Sequence, residues 1–137
     1  MKLLTKEQRT QLIAHGQINA RRMAEGEDTV HFSPVVKLFA PWGAATWLLT
    51  ELDPEDEDIA FGLCDLGMGS PELGSVRLSE LGSVRGPAGL RIERDRHFKS
   101  TNWLWVYARA AAAIGHITED PEALNKARKE VMKGCTL

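Results

Sequence analysis

Short apolar runs, rich in β-branched and aromatic side chains, alternate with turn-forming residues over the first half of the chain. Three of these runs cover residues 35–39, 46–52 and 59–66, and each is bounded by proline, glycine or acidic residues. This pattern is typical of β-strands. The second and third runs are separated only by residues 53–58, five of which are acidic. They are therefore predicted to form an antiparallel hairpin with the acidic segment as its loop.

Helical patterns lie on both sides of these strands. Residues 5–8, Thr-Lys-Glu-Gln, are a capping-box sequence, which predicts a helix that extends to about residue 22. Residues 103–114 contain four consecutive alanines and predict the main helix of the chain. Thr101 is expected to cap this helix and Gly115 to end it.

The hexapeptide Glu-Leu-Gly-Ser-Val-Arg occurs twice, at residues 72–77 and 80–85. Repeat architectures have periods of roughly 20–50 residues, far longer than the offset between these copies. The first copy follows a proline and predicts a short strand, whereas the second follows Ser79, a favourable N-cap residue, and predicts a brief helix. We interpret the repetition as a coincidence in which identical residues form a strand and a helical turn.

The predicted elements assemble into one small domain. Residues 90–94 alternate in polarity and complete the set as an edge strand. The expected fold class is α+β, with a single domain over residues 1–117. Its antiparallel sheet of four to five strands packs against one main C-terminal helix plus an N-terminal helix. Residues 118–137 are charged and poor in large apolar side chains, which predicts a weakly packed or flexible helical extension.

Composition limits the classes of function. The chain has 137 residues, a net charge of -2 and two cysteines. This length fits one domain, the charge argues against a wholesale nucleic-acid binder, and two cysteines do not form a disulfide framework. The N-terminus lacks the apolar core of a signal peptide, and no apolar run approaches the length of a membrane span. We therefore expect a cytoplasmic protein that has no membrane partner, and its oligomeric state stays open.

Carboxylates around the predicted hairpin loop form the first candidate surface. Strict alternation along the second strand places Leu49 and Glu51 on one face and Leu52 on the other. The acidic segment lacks the ligand spacing of a calcium loop, and the histidines lack metal-ligand spacing, so no metal is predicted. A solvated loop or a contact surface for a basic partner is expected instead. The candidate binding residues are Glu51, Asp53, Glu55, Asp56 and Asp58.

A second candidate surface is the polar cluster that follows the last strand. An aspartate there could orient the nearby histidine, and flanking arginines could bind a phosphate or a carboxylate. Its candidate binding residues are Arg94, Arg96, His97 and Lys99. Trp42 joins them because a tryptophan in a Pro-Trp-Gly turn is often exposed and used in binding. The other tryptophans are interpreted mainly as core residues, although Trp105 is expected to be half exposed.

No cofactor is predicted. The glycine-rich bend at residues 67–71 lacks the Lys-Ser/Thr pair of a P-loop and the third glycine of a dinucleotide fingerprint. A proline in this bend also removes an N–H group that a phosphate cradle would use. The bend is therefore interpreted as a turn.

Five ordered segments carry a family resemblance. They are Pro-Val-Val-Lys-Leu-Phe at 34–39, Ala-Thr-Trp-Leu-Leu-Thr-Glu-Leu-Asp-Pro-Glu-Asp at 45–56, Ala-Phe-Gly-Leu-Cys-Asp-Leu-Gly at 60–67, Pro-Glu-Leu-Gly at 71–74, and the stretch from Gly-Pro-Ala-Gly-Leu to Glu-Arg-Asp-Arg-His-Phe at 86–98. This set resembles the DUF2958 family of bacterial proteins over roughly residues 1–117. The resemblance implies an accessory protein carried by conjugative plasmids, integrative elements or phages, and it transfers no catalytic residue.

These observations predict a non-enzymatic binding or accessory protein. Its expected partner is a protein or, through the basic patches, a nucleic acid. One alternative is an anti-defence inhibitor, directed against restriction or CRISPR systems, whose acidic loop imitates nucleic-acid phosphates. Another is a small enzyme that uses Asp65, Glu93 and His97. A buried carboxylate–histidine set in a pocket would favour the enzyme, and dispersal of these groups would argue against it.

Overall fold

The computed structural model describes residues 3–135. Residues 1–2 of the predicted domain and 136–137 of the predicted extension lie outside the described residues. The elements, in chain order, are helix α1 Lys6–Ala24, strands β1 Val36–Phe39, β2 Thr46–Asp53, β3 Asp56–Asp65 and β4 Glu72–Arg77, helix α2 Leu78–Ser83, strand β5 Glu93–Arg94, and helices α3 Leu104–Ile114 and α4 Pro121–Cys135.

A five-stranded antiparallel sheet forms the centre of the fold. Its strand order is β4-β3-β2-β1-β5. This sheet, with its N-terminal and C-terminal helices, confirms the predicted α+β fold class. The edge strand β5 has two residues and is shorter than predicted. The reason is a local turn, in which the Leu90 carbonyl accepts the Gly86 N–H at 2.7 Å instead of joining the sheet.

Helices cover both faces of the sheet. On one face, Leu12 of α1 is buried in a core that includes Leu49 of β2. On the other face, Tyr107 of α3 and Leu124 of α4 are buried in a second core around Leu48 of β2. Adjacent residues of β2 therefore point into different cores, as the pleat of a strand requires. This central strand is apolar on both faces because a helical layer covers each of them.

The central hairpin contains an irregularity that strict alternation did not predict. Leu49 pairs with Gly62 and Glu51 pairs with Phe61, which are consecutive residues of β3. Thr50 therefore has no partner in β3 and forms a β-bulge. The bulge shifts the parity of the strand, and Leu52 lies in the same core as Leu49. The prediction that these two leucines lie on opposite faces is therefore wrong.

The hairpin turn is also shorter than predicted. Asp53 and Asp56 are sheet partners, and only Pro54-Glu55 form the turn between them. The prediction that all of residues 53–58 form a loop is wrong, because the last three of them begin β3. Their charges are tolerated in the strand because Arg77 of the adjacent edge strand β4 pairs with the carboxylate of Asp56 at 3.1 Å.

Helix α1 begins at the predicted capping box. Thr5 Oγ1 accepts the Gln8 N–H at 3.0 Å, and Gln8 Oε1 accepts the Thr5 N–H at 2.9 Å. Further along, the helix passes close to β2 at the buried Gly16. A Cβ atom at this position would overlap the carbonyl oxygen of Leu52. Glycine therefore permits the short distance between the helix and the sheet.

The two hexapeptide copies fold differently. Residues 72–77 form β4, which pairs with β3, whereas residues 80–85 belong mostly to α2. This confirms the interpretation of one strand and one helical turn. Ser79 does not cap α2, since Arg77 occupies the N-cap position. The Ser79 N–H and hydroxyl instead donate to the carboxylate of Asp58, at 2.9 and 2.6 Å.

Helix α3 ends as predicted but begins differently. Gly115 ends it in the left-handed conformation, with φ 90°. At the start, Trp103 occupies the N-cap position without a side-chain cap. The prediction that Thr101 caps α3 is therefore wrong, because its side-chain Oγ1 lies 3.2 Å from the Tyr107 hydroxyl, which also accepts the Thr101 N–H at 3.0 Å.

Helix α4 follows residue 117, where the sequence placed the end of the domain. Leu124 and Ala127 of this helix are buried against the α3 side of the sheet, and Arg109 of α3 pairs with Glu130. The boundary at residue 117 stays a prediction. Within residues 3–135, no helix combines the length and the apolar character that crossing a bilayer requires.

Candidate functional site

The bulged end of β2 lines a cleft. Strand β1 begins at Val36, which pairs with Leu49, so the following residues of β2 have no strand beside them on that edge. The C-terminal half of α1 and residues 29–32 approach this free edge and enclose a cleft of about 340 Å³. The bulge changes the direction of the neighbouring side chains, and Glu51, one of the predicted binding residues, lines the cleft.

Asn19 joins the walls of this cleft. Its side chain is only 4% exposed. Nδ2 donates to the two carboxylate oxygens of Glu51, at 3.0 and 3.2 Å, and to the Val30 carbonyl at 3.1 Å. Oδ1 accepts the Val30 N–H at 2.7 Å. One buried amide therefore fixes both Glu51 and the segment opposite. The sequence carried no signal for this role, because its partners are distant along the chain.

Two histidines support the same segment. His15 Nδ1 lies 2.9 Å from the carbonyl oxygen of Thr50, at the bulge, and its ring stacks on Phe32 with centroids 3.8 Å apart. His31 lies against Trp105, with centroids 4.3 Å apart. Burial lowers the pKa of His31 below its ordinary value, which keeps its ring neutral near pH 7.

Burial raises the pKa of Glu51 above its ordinary value, and the hydrogen bond from Asn19 offsets only part of this effect. A carboxyl group with a raised pKa stabilises the fold fully below its unfolded pKa of about 4.3. This contribution is lost as the pH rises through the folded pKa. We therefore expect the free energy of unfolding of the wild type, relative to Glu51→Gln, to fall as the pH rises from about 4 to about 7.

Urea denaturation across this pH range measures the difference. Glu55→Gln, the same change on the exposed hairpin turn, is the matched control. A wild-type to Glu51→Gln difference that does not depend on pH would contradict the expectation.

The other predicted carboxylates lie at the hairpin turn and its flanks. Asp56 and Asp58 are 3.1 and 3.5 Å from the guanidinium of Arg77. Hydrogen bonds from Ser79, together with this guanidinium, lower the pKa of Asp58. Asp53 Oδ1 accepts the Glu55 N–H at 2.9 Å. Several carboxylates of the predicted acidic surface therefore have partners within the protein.

Asp95 stabilises the backbone of the second predicted surface, residues 93–99. Asp95 Oδ1 accepts the backbone N–H of His97 at 2.9 Å, and Oδ2 lies 3.5 Å from Nζ of Lys37. Asp95 thus fixes the backbone turn and not the imidazole ring. In this cluster Arg96, His97 and Lys99 are exposed, whereas Arg94 is half-buried on β5.

Asp65 and Glu93 of the enzyme alternative are not brought together. Asp65 and Glu93 lie in one row across the sheet, joined through the partner positions Thr46 and Phe39. Three inter-strand spacings of about 4.8 Å therefore separate them, or roughly 14 Å in all. Asp65 is buried, and its oxygens accept the backbone N–H groups of Gly67 and Ile117, at 2.8 and 3.0 Å.

The tryptophans are distributed differently from the prediction. Trp42 is half-buried, and its ring packs so closely over Gly86 that a Cβ atom there would overlap it. Trp103, interpreted from the sequence as a core residue, is 47% exposed. Trp105 is 44% exposed, which confirms the expectation that it is half exposed. The pattern gave no warning for Trp103, because α3 is apolar around most of its circumference.

Trp103 borders a groove of about 740 Å³ between the start of α3 and helix α4. We call it the cationic groove. Among the described residues, three cationic side chains and no carboxylate line it. The residues are Ser33, Thr101, Asn102, Trp103, Arg128, Lys129, Met132 and Lys133. The α4 members have the spacing of one helix face. This spacing is visible in the sequence, but it indicates a groove only when α3 is known to lie opposite.

Comparison with known proteins identifies the family. The model of DUF2958, a protein family of unknown function, matches residues 3–118. The chain belongs to the DUF2958 family. No curated protein and no solved structure matches it.

The cationic groove spans the limit of the DUF2958 match. Its first wall, from Ser33 and residues 101–103, lies within the matched residues. Its second wall, with all three cations, belongs to α4, beyond the match. The groove is therefore formed by the DUF2958 domain together with the C-terminal helix, whereas the cleft beside Glu51 lies wholly within the domain.

Proposed function

We propose that this protein is a non-enzymatic accessory protein that binds single-stranded nucleic acid in the cationic groove. The observation that carries the proposal is the composition of the groove, in which three cations and a half-exposed tryptophan occur without a carboxylate among the described lining residues. Lysine and arginine bind backbone phosphates, and an aromatic ring stacks on unpaired bases. The cytoplasmic location expected from the sequence suits this role, as does the mobile genetic element that the family resemblance implies.

The local charge outweighs the slight negative charge of the whole chain. Screening limits interactions between exposed charges to roughly 8 Å at physiological ionic strength. The acidic hairpin turn is part of the β2–β3 ladder and lines no part of the groove. The nearby Glu130 is paired with Arg109. Among the described residues, the charged side chains that line the groove are therefore those of Arg128, Lys129 and Lys133.

Replacing Arg128 and Lys129 by glutamine is expected to weaken the binding of a fluorescent oligothymidylate and to reduce its salt dependence. Single-stranded binding has a slope of log K against log salt of about -0.7 per neutralised phosphate, so the loss of two contacts reduces the slope by about 1.4. Fluorescence anisotropy at several KCl concentrations measures both quantities. The matched control is Lys6→Gln with Arg21→Gln, two exposed cations of α1 on the opposite sheet face.

Trp103→Ala separates stacking from charge. We expect it to weaken binding by about 1–3 kcal/mol, as the loss of one stacked base does, while the salt slope stays unchanged. Three results would contradict the proposal: no binding of the oligonucleotide, equal losses in the α1 control, or tighter binding of a duplex of the same length.

A further inference from the structure

We propose that the cleft beside Glu51 binds an organic cation, namely a primary ammonium or guanidinium group on a short apolar stem. This inference concerns the cleft of about 340 Å³ at the free edge of β2 and does not rest on the nucleic-acid groove. The volume lies within the usual range of small-molecule sites, roughly 300–1,000 Å³.

The charge of the cleft selects the sign of the ligand. The described residues that line it include the acidic residues Glu51 and Asp53 but no lysine and no arginine. Burial lowers the pKa of His31, which also lines the cleft, and so disfavours a positive charge on its ring. A cation therefore suits this lining better than an anion does, because Glu51 and Asp53 are its acidic residues.

The environment of Glu51 gives the cation a specific partner. The carboxylate is half-buried, and the side chain that donates to it, Asn19, is neutral. Partial desolvation without a cation destabilises the charged form of a carboxyl group. A guanidinium or ammonium group in the cleft would donate charge-assisted hydrogen bonds to Glu51, which are stronger than those of a neutral amide. The ligand would thus supply the positive charge that the described lining residues lack.

The other walls of the cleft are apolar and suit an aliphatic stem. Ala20 and Met23 of α1 lie on one side, and Val30 and Phe32 of the 29–32 segment on another. Met23 is 68% exposed, so its flexible thioether side chain is available to cover a bound stem. A cationic head beside Glu51 and a stem against these side chains would use both parts of the cleft.

A metal ion is a poor occupant by comparison. Within residues 3–135 no group of three or more histidine, cysteine or acidic side chains is placed to hold one. Calcium takes six to eight oxygen ligands, and magnesium needs near-octahedral coordination. An organic cation needs only one or two carboxylate acceptors and an apolar surface.

Titration with n-butylguanidinium and n-butylammonium tests the proposal, with binding followed by calorimetry and by the NMR shifts of the Met23 methyl group. We expect saturable binding to the full-length protein, weakened about 10-fold or more by Glu51→Gln, because a hydrogen bond to a charged partner contributes that much. Glu55→Gln, on the same hairpin but outside the cleft, should bind like the wild type. The neutral probe n-butanol should bind at least 10-fold more weakly than either cation.

A second variant does not alter the carboxylate. Ala20→Arg, at an exposed position of α1 that lines the cleft, places a tethered guanidinium beside Glu51 and should compete with the probe. Absence of saturable binding by both cations, or equal affinities of the wild type, Glu51→Gln and Ala20→Arg, would overturn the proposal.

The same titration distinguishes the two sources of such a cation. Binding of acetyl-Ala-Arg-Ala-amide at least 10-fold tighter than n-butylguanidinium would assign the site to an arginine side chain of a protein partner. Equal or weaker binding of the peptide would assign it to a free amine or guanidine. Either result supports the organic cation as the ligand.

Discussion

Replacing Gly16 by alanine is expected to lower the free energy of unfolding by about 3 kcal/mol, although alanine is the better helix former by about 1 kcal/mol. The reason is geometric, since a Cβ atom on this residue of α1 would overlap the carbonyl oxygen of Leu52 in β2. That oxygen belongs to the backbone of a central strand and cannot rotate away as a side chain would. The helix must move off the sheet, and the core around Leu12 loosens with it.

Urea denaturation followed by circular dichroism measures this loss. Gly74→Ala in the edge strand β4 is the control, because a Cβ atom there meets nothing within 4 Å. Its free energy of unfolding should change by less than about 1 kcal/mol. Similar stabilities of the two variants would show that α1 can shift without cost.

Asp65→Ala is expected to destabilise the protein by about 3 kcal/mol, because it leaves two backbone N–H groups without an acceptor. The buried carboxylate accepts one N–H from Gly67 and one from Ile117, which is far along the chain after α3. It therefore joins the end of β3 to the segment between α3 and α4. Thermal and urea unfolding should both show the loss. Asp65→Asn keeps one acceptor oxygen, so its free energy of unfolding should lie between those of the wild type and Asp65→Ala.

Asp53 provides a matched control for this position. Its carboxylate accepts the N–H of the residue two positions ahead, as that of Asp65 does, but it is exposed at the hairpin turn. Asp53→Ala should cost less than about 1 kcal/mol, since water replaces the lost acceptor. A comparable loss at both positions would show that the local turn, and not the bond to Ile117, is what matters.

Local signals in the sequence predicted much of the fold. The capping box at Thr5 contains both of its partners within four residues, so it could be identified without tertiary information. Strands were found for the same reason, from runs of their own residues. The bulge at Thr50 could not be found this way, because it is defined by the number of residues in β3 that face it. The extent of the acidic loop was overestimated because the charge of Arg77, which stabilises the start of β3, comes from another strand.

The candidate sites were less accessible to sequence analysis. Glu51 was chosen for its charge and does line a cleft, but Asn19, which orients it, looks like any polar residue of a surface helix. Trp103 was assigned to the core because tryptophan side chains are more often buried, and its exposure depends on where α4 lies. The position of Arg128 and Lys129 at the groove likewise could not be predicted from the sequence, because it depends on the contact between two helices. Whether the predicted contact residues at the hairpin and at residues 93–99 bind a partner stays a prediction.

The hexapeptide that occurs as strand and as helix shows where the structural information of this region is stored. Sliding the chain by one copy would offer β3 an edge partner of identical sequence, so the hydrogen-bond ladder alone does not choose between the two alignments. Burial chooses: Leu81 in the second copy is 8% exposed, whereas its counterpart Leu73 is 39% exposed. The choice of edge strand consequently depends on the short helix that follows it. Weakening that helix would let the second copy compete with the first for pairing with β3.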